Sequence, residues 1–196
     1  KYHLNCKVIS VGNITLGGTG KTSLVEYIAK SLKQQGHKIA ILSRGYKRKI
    51  TKHQSPNTNH QTMGDEPYML SQNLGDVPVL VDADRVRSGN LAINNYNADT
   101  VILDDGFQQW RIKKDLEIVT LDATKPFGNR YLLPRGTLRE PLASLKRADI
   151  FILTKTNLNP DTGRLKDCLN SLNPQVEIFE AIHYPAGFFK LGKQKE

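Results

Sequence analysis

The residues best equipped for chemistry in this sequence are a glycine-rich turn and a pair of acids well downstream of it. The turn is Thr15-Leu16-Gly17-Gly18-Thr19-Gly20-Lys21-Thr22. Glycines let a backbone curl so that successive amides point at phosphate oxygens, and a helix starting just after adds the positive end of its dipole. Lys21 then has the reach to meet the β and γ phosphates of a nucleoside triphosphate, and the Thr22 hydroxyl is placed to bind Mg2+. Such loops usually open on glycine; here that position is Thr15. The acids close the run Thr100-Val101-Ile102-Leu103-Asp104-Asp105. An apolar strand ending in carboxylates delivers one of them beside the loop, where it holds Mg2+ or its waters.

A phosphate loop works only between a strand and a helix. Residues 8–11 are a β-branched run ending at Gly12-Asn13, which reads as a buried strand and a turn. From Thr22 the period changes: Leu24, Val25, Ile28, Ala29 and Leu32 share one helical face, and Gly36 supplies the stop. Further strands are predicted at 38–42, 77–81, 101–103, 116–121, 150–153 and 176–179. A helix is predicted at 86–95, and an amphipathic stretch opens at Gly64-Asp65-Glu66-Pro67. The polar, aperiodic segment 47–61 reads as a loop. Strands alternating with helices predict an α/β, P-loop NTPase-like fold: a mostly parallel sheet flanked by helices.

At 196 residues the chain has the size of one domain. No apolar run approaches the length that spans a bilayer, and the polar start is unlike a signal peptide. Cys6 and Cys168 lie far apart without metal-ligand spacing, which fits a reducing compartment. The net charge of +9 favours anionic partners without choosing among them. Nucleic acid is not expected, because there is no basic stripe interleaved with aromatics and no recognisable binding module.

Several ordered motifs go beyond the phosphate loop. They are the run from Val11 to Thr22, Leu42-Ser43-Arg44-Gly45-Tyr46, Gly64-Asp65-Glu66-Pro67, Asp84-Arg85 and Leu103-Asp104-Asp105-Gly106-Phe107-Gln108, followed by Phe127-Gly128-Asn129, Leu132-Leu133-Pro134 and Leu138-Arg139-Glu140-Pro141. Together they resemble the tetraacyldisaccharide 4′-kinase (lipid A 4′-kinase) family. Two departures stand out: Gln109 where the family has histidine, and Ser23 where it often has proline. The resemblance implies transfer of the ATP γ-phosphoryl group to the 4′-hydroxyl of the lipid A precursor disaccharide 1-phosphate. It also implies a peripheral setting at the cytoplasmic face of the bacterial inner membrane, whose surface is anionic. Residues 1–196 would then be the nucleotide-binding kinase domain of a longer, two-lobed protein.

By the same resemblance Asp65 is the base that takes the proton of the sugar hydroxyl, although an aspartate at this place also suits a helix cap. Glu66 supports Mg2+ or its waters. Asp104 faces the metal, with Asp105 in a supporting or substrate role, or the two reversed. Arg139 neutralises charge in the transition state and pairs with Glu140, while Arg85, Arg44 and Gln108 are candidates for substrate contact. The rival class is a P-loop GTPase or regulatory ATPase. Thr154-Lys155-Thr156-Asn157 falls at a strand end where such GTPases read guanine, but Asn157 lacks the carboxylate that reading needs.

Overall fold

The computed structural model describes residues 1–44, 63–159 and 161–184. Gly45, Tyr46 and the predicted loop 47–61 lie outside them. Seven parallel strands form one sheet: β1 (Lys7–Gly12), β2 (Ile39–Ser43), β3 (Val79–Val81), β4 (Thr100–Asp104), β5 (Leu116–Asp122), β6 (Ile150–Thr154) and β7 (Glu177–Glu180). Their order is β3-β2-β4-β1-β5-β6-β7. Each predicted strand is found, with small shifts at its ends. β3 begins two residues late because Pro78 has no N–H to give a ladder, although its carbonyl accepts from the Ile41 amide at 2.8 Å.

Both faces of the sheet are covered, so the strands read as nearly continuous Val/Ile/Leu runs rather than as alternations. On one face α1 (Lys21–Gln34) and α2 (Asp65–Leu74) bury Val25, Ala29, Leu70 and Leu74 against Val11, Ile41, Val79 and Ile102. On the other, α3 (Arg85–Tyr96) sets Ala92 against Val8, Leu42, Val101 and Leu103. There α4 (Gly163–Leu172) sets Leu165 and Leu169 against Val119, Phe151 and Leu153. The helix α4 was not predicted, although Leu165, Cys168, Leu169 and Leu172 carry its spacing. Among the described residues no helix is long and apolar enough to cross a membrane.

This arrangement gathers the loops that follow β1, β2, β4 and β6 at the carboxyl edge of the sheet, where open α/β folds bind ligands. β1 and β4 are neighbours in parallel register, with Val11 opposite Asp104. The turns that leave them touch: the Gly106 amide donates to the Val11 carbonyl at 3.0 Å. A Cβ on Gly12 would come within 2.5 Å of both the amide nitrogen and the Cβ of Phe107. Gly12→Ala is therefore expected to cost about 1–3 kcal/mol through overpacking, read as a lower urea midpoint with an unchanged m-value.

Candidate active site

The glycine-rich turn begins where β1 ends and leads directly into α1. Gly17 (φ 117°) and Gly20 (φ 80°) occupy conformations that other residues resist. Gly20 is also the N-cap of α1, and no side chain caps the helix there; its first turn carries no acid either. The first amides of α1 therefore face outward without a side-chain partner, as an anion site requires. The loop is pinned from behind. Thr19 and Thr120 share a hydroxyl contact of 2.7 Å, Thr120 donates to the Gly12 carbonyl at 3.2 Å, and Thr154 donates to the Thr19 carbonyl at 3.2 Å. Thr15, where glycine was expected, forms an antiparallel bridge with Leu138 and is absent from the positive-φ residues. A strand-like residue needs no glycine, which accounts for the departure.

The two acids at the end of β4 stand in opposite environments. Asp104 is 3% exposed and accepts one hydrogen bond, from Ser43 Oγ at 3.2 Å. Burial, then the charges of Asp105 and Glu66, push its pKa up to about 6. Asp105 lies one residue on, in the left-handed region at φ 55°. Its carboxylate is 3.5 Å from Lys21 Nζ and takes bonds of 2.7 and 2.8 Å from Arg139 Nη1. Burial would raise this carboxyl as well, but Lys21 and then Arg139 outweigh it, and the net displacement is downward.

The expected pairing of Arg139 with Glu140 is not what forms. The chain bends at both residues, and Arg139 turns to Asp105 while Glu140 is met by Arg147 at 2.8 Å. Gln108 links the two sides: its amide nitrogen donates to the Asn13 carbonyl and to Glu140, both at 3.1 Å, and its oxygen accepts from Arg139 at 3.4 Å. Arg85 is 5% exposed and donates to the Asp82 carbonyl at 2.6 Å. Burial draws its pKa down to about 10, against the pull of Asp104, while Arg44 adds a second positive charge nearby. Asp65 and Glu66 open α2, with Gly64 as the N-cap, so Asp65 is not the cap. Glu66 is close enough for its charge to reach Asp104.

Other parts of the site carried weaker signals: Thr120 is an isolated polar residue in an apolar strand, Ser43 stands in an ordered motif without a role of its own, and Thr154 opens the segment weighed as a guanine reader. At the end of β6, Lys155 pairs with Asp122 and reaches the Gly18 carbonyl at 3.5 Å. Asn157 spends its side chain on the backbone of His183, accepting from its amide at 3.3 Å and donating to its carbonyl at 3.2 Å. It offers no carboxylate to a guanine and has both amide ends engaged. Among the described residues no three His, Cys, Asp or Glu side chains gather into a metal cage. Mg2+ seldom needs one, because one or two carboxylates, waters and phosphate oxygens usually complete its octahedron.

The raised pKa of Asp104 has a definite sign for stability. The folded protein binds this proton more tightly than the unfolded chain, so ionised Asp104 costs stability above about pH 6 and nothing below the ordinary value of 3.8. Asp104→Asn should stabilise the metal-free protein at pH 7–8 by at most about 3 kcal/mol. That advantage should fade as the pH falls from about 6 to about 4, as followed by urea denaturation at a series of pH values.

The family model for tetraacyldisaccharide-1-P 4′-kinase (LpxK) matches residues 1–195. A curated tetraacyldisaccharide 4′-kinase of Elusimicrobium minutum is 42% identical over 202 residues, covering 97% of this chain and 54% of its own length. That of Halothermothrix orenii is 41% identical over 188 residues, covering 91% and 49%. The crystal structure of Aquifex aeolicus LpxK in complex with ATP aligns with a TM-score of 0.73 at 30% identity, over 99% of this chain and 77% of that one. The chain spans about half the length of the curated relatives it matches. With the family model matching nearly the whole chain and the two curated relatives 42% and 41% identical to it, the chain belongs to the tetraacyldisaccharide-1-P 4′-kinase family.

Proposed function

We propose that the intact protein carrying this chain transfers the γ-phosphoryl group of ATP to the 4′-hydroxyl of tetraacyldisaccharide 1-phosphate in lipid A biosynthesis. Residues 1–196 act as its nucleotide-binding kinase domain, one lobe of two. The observation that carries this reading is the cluster Lys21–Asp105–Arg139 at the mouth of an uncapped glycine loop, with Asp104 buried behind it.

Phosphoryl transfer asks little covalent work of a protein and much positioning and charge dispersal. The Leu16 amide is held by the Thr137 carbonyl, so the amides from Gly17 to Thr22 are the ones that would wrap the β and γ phosphates, and Lys21 leaves Asp105 to meet them. Asp104 and the Thr22 hydroxyl would hold Mg2+, with Glu66 acting through water. Burial raises the Asp104 pKa most, and the crowding of Asp105 and Glu66 adds to it; three carboxylates so close suit a cation. When bound there, Mg2+ would supply positive charge to offset the negative charge that develops on the transferred group. Asp65 accepts the proton of the 4′-hydroxyl as its oxygen bonds to the γ phosphorus. The β–γ bridging bond breaks, and ADP leaves with the electron pair. Arg139, steered by Asp105 and Gln108, faces the transferred group. Arg85 and Glu140 line the wall behind.

The acceptor is a lipid, and Tyr131, Leu132 and Leu133 form an exposed apolar run near the loop, with Arg130 and Arg135 beside it. Leu16 in the loop is joined to this segment through the Thr137 carbonyl at 2.7 Å. Apolar side chains among arginines suit the anionic cytoplasmic face of the inner membrane.

The test is ATP-dependent phosphorylation of the disaccharide 1-phosphate by the intact protein. Asp65→Ala is expected to lower kcat ~10²–10⁴-fold with ATP affinity retained. Arg139→Ala is expected to lower it ~10³-fold or more. Lys21→Ala should weaken ATP binding and turnover together. Wild-type turnover in Asp65→Ala, or a strong preference for GTP, would overturn the reading.

A further inference from the structure

The acidic turn after β4 leads into no helix. The chain from Gly106 to Asp115 crosses the sheet beside β1 and enters β5 on the other side of it. At its far end Asp115 is clamped to β1, its amide donating to the Val8 carbonyl at 2.9 Å and its carboxylate accepting from the Val8 amide at 2.8 Å. At its near end there is strain, since Asp105 holds a left-handed conformation that costs a residue with a side chain on the order of 1 kcal/mol or more. Gly106 cannot yield, because a Cβ there would lie 2.4 Å from Ser10 Oγ.

Beneath this turn sits an ion pair that the chemistry above does not use. The Lys114 side chain is 10% exposed, and its partner Glu117, on β5, is 8% exposed. The Lys114 ammonium donates to the Gly106 carbonyl at 2.7 Å and to the Phe107 carbonyl at 3.3 Å, and it bonds the Glu117 carboxylate. All three of its donors are thereby engaged. Two of the three grip the carbonyls that directly follow Asp104-Asp105. Buried ion pairs of this kind are poor stabilisers, and an apolar pair of similar volume often does as well. What an apolar pair lacks is a donor for the Phe107 carbonyl and a second donor for the Gly106 carbonyl, which also accepts from the Gln109 amide at 2.8 Å.

We infer that Lys114 is a positioning residue for phosphoryl transfer: from below, through the Gly106 and Phe107 carbonyls, it holds the strained turn so that Asp105 meets Lys21 and Arg139. Glu117 keeps the ammonium charged and aimed. The inference rests on the kinase reading above. The side chain of Lys114 touches neither Asp105 nor the phosphate loop; it acts through the backbone.

The experiment is a double-mutant cycle in the intact protein, reading kcat, ATP affinity and thermal midpoint. Lys114→Met alone strands the Glu117 charge and risks unfolding, so the informative variant is Lys114→Met with Glu117→Leu. It should keep a near-native thermal midpoint and an ATP affinity within about threefold, yet lose kcat ~10²-fold, the scale of a misplacement of roughly 1 Å. Lys114→Arg, which keeps two donors for the carbonyls, should recover most of that loss. Added to Asp105→Asn, the same double change should cost little more, because both act on one group. Wild-type kcat in the folded double variant, or losses that simply multiply with Asp105→Asn, would overturn the role of Lys114 and leave the kinase reading intact. Absence of transfer in the folded wild-type protein would overturn the kinase reading, and this inference with it.

Discussion

The parallel pairing of β1 with β4 is the constraint from which the rest of the site follows. Because Val11 lies opposite Asp104, a chain leaving β1 as a curl of amides and a chain leaving β4 as two carboxylates must emerge side by side. One turn then offers positive dipole and a lysine, and the other offers negative charge. The distance between them is set by backbone hydrogen bonds rather than by flexible side chains. Neither turn has freedom to drift: threonines from β5 and β6 pin the first, and contact with Gly12 and Ser10 packs the second.

Much of this was legible in the sequence because a parallel sheet leaves a plain mark. Strands buried on both faces appear as short apolar runs, and each of the seven is found. The phosphate loop and the acids of β4 were legible for a related reason, since their chemistry requires particular residue types at strand ends. What escaped was set by long-range geometry. Residues 139 and 140 are adjacent, and adjacency suggested a pair, yet the bend of the chain there sends their side chains to different partners. The helix α4 carries a narrow apolar stripe in a polar segment, which propensity alone undervalues. Thr120 looked like an ordinary strand residue, and Thr154 drew notice only as the start of a candidate guanine-reading segment, until the fold brought both under the loop. The resemblance to a family carried the candidate roles of Asp65 and Glu66, which no spacing argument would have singled out.

Asp104 and Asp105 show how little residue type decides. The two are neighbours in sequence and chemically identical, yet their pKa values move in opposite directions. Asp104 finishes a buried strand and receives one hydroxyl. Asp105 has turned the corner into a left-handed conformation and lies between a lysine and an arginine. The left-handed turn at Asp105 is where their surroundings part: Asp104 stays in the strand, and Asp105 leaves it toward Lys21 and Arg139.

The ion pair between Lys21 and Asp105 has one more consequence. A lysine resting on a carboxylate is already partly stripped of water, so an arriving triphosphate finds a cation set in place and not a freely hydrated one. It must also displace a resident anion, which tempers its hold. Under the proposed function, the displaced carboxylate would stay nearby, ready to reclaim the ammonium once the outermost phosphate had gone. A built-in competitor of this sort would then loosen the grip on a spent nucleotide and favour its departure.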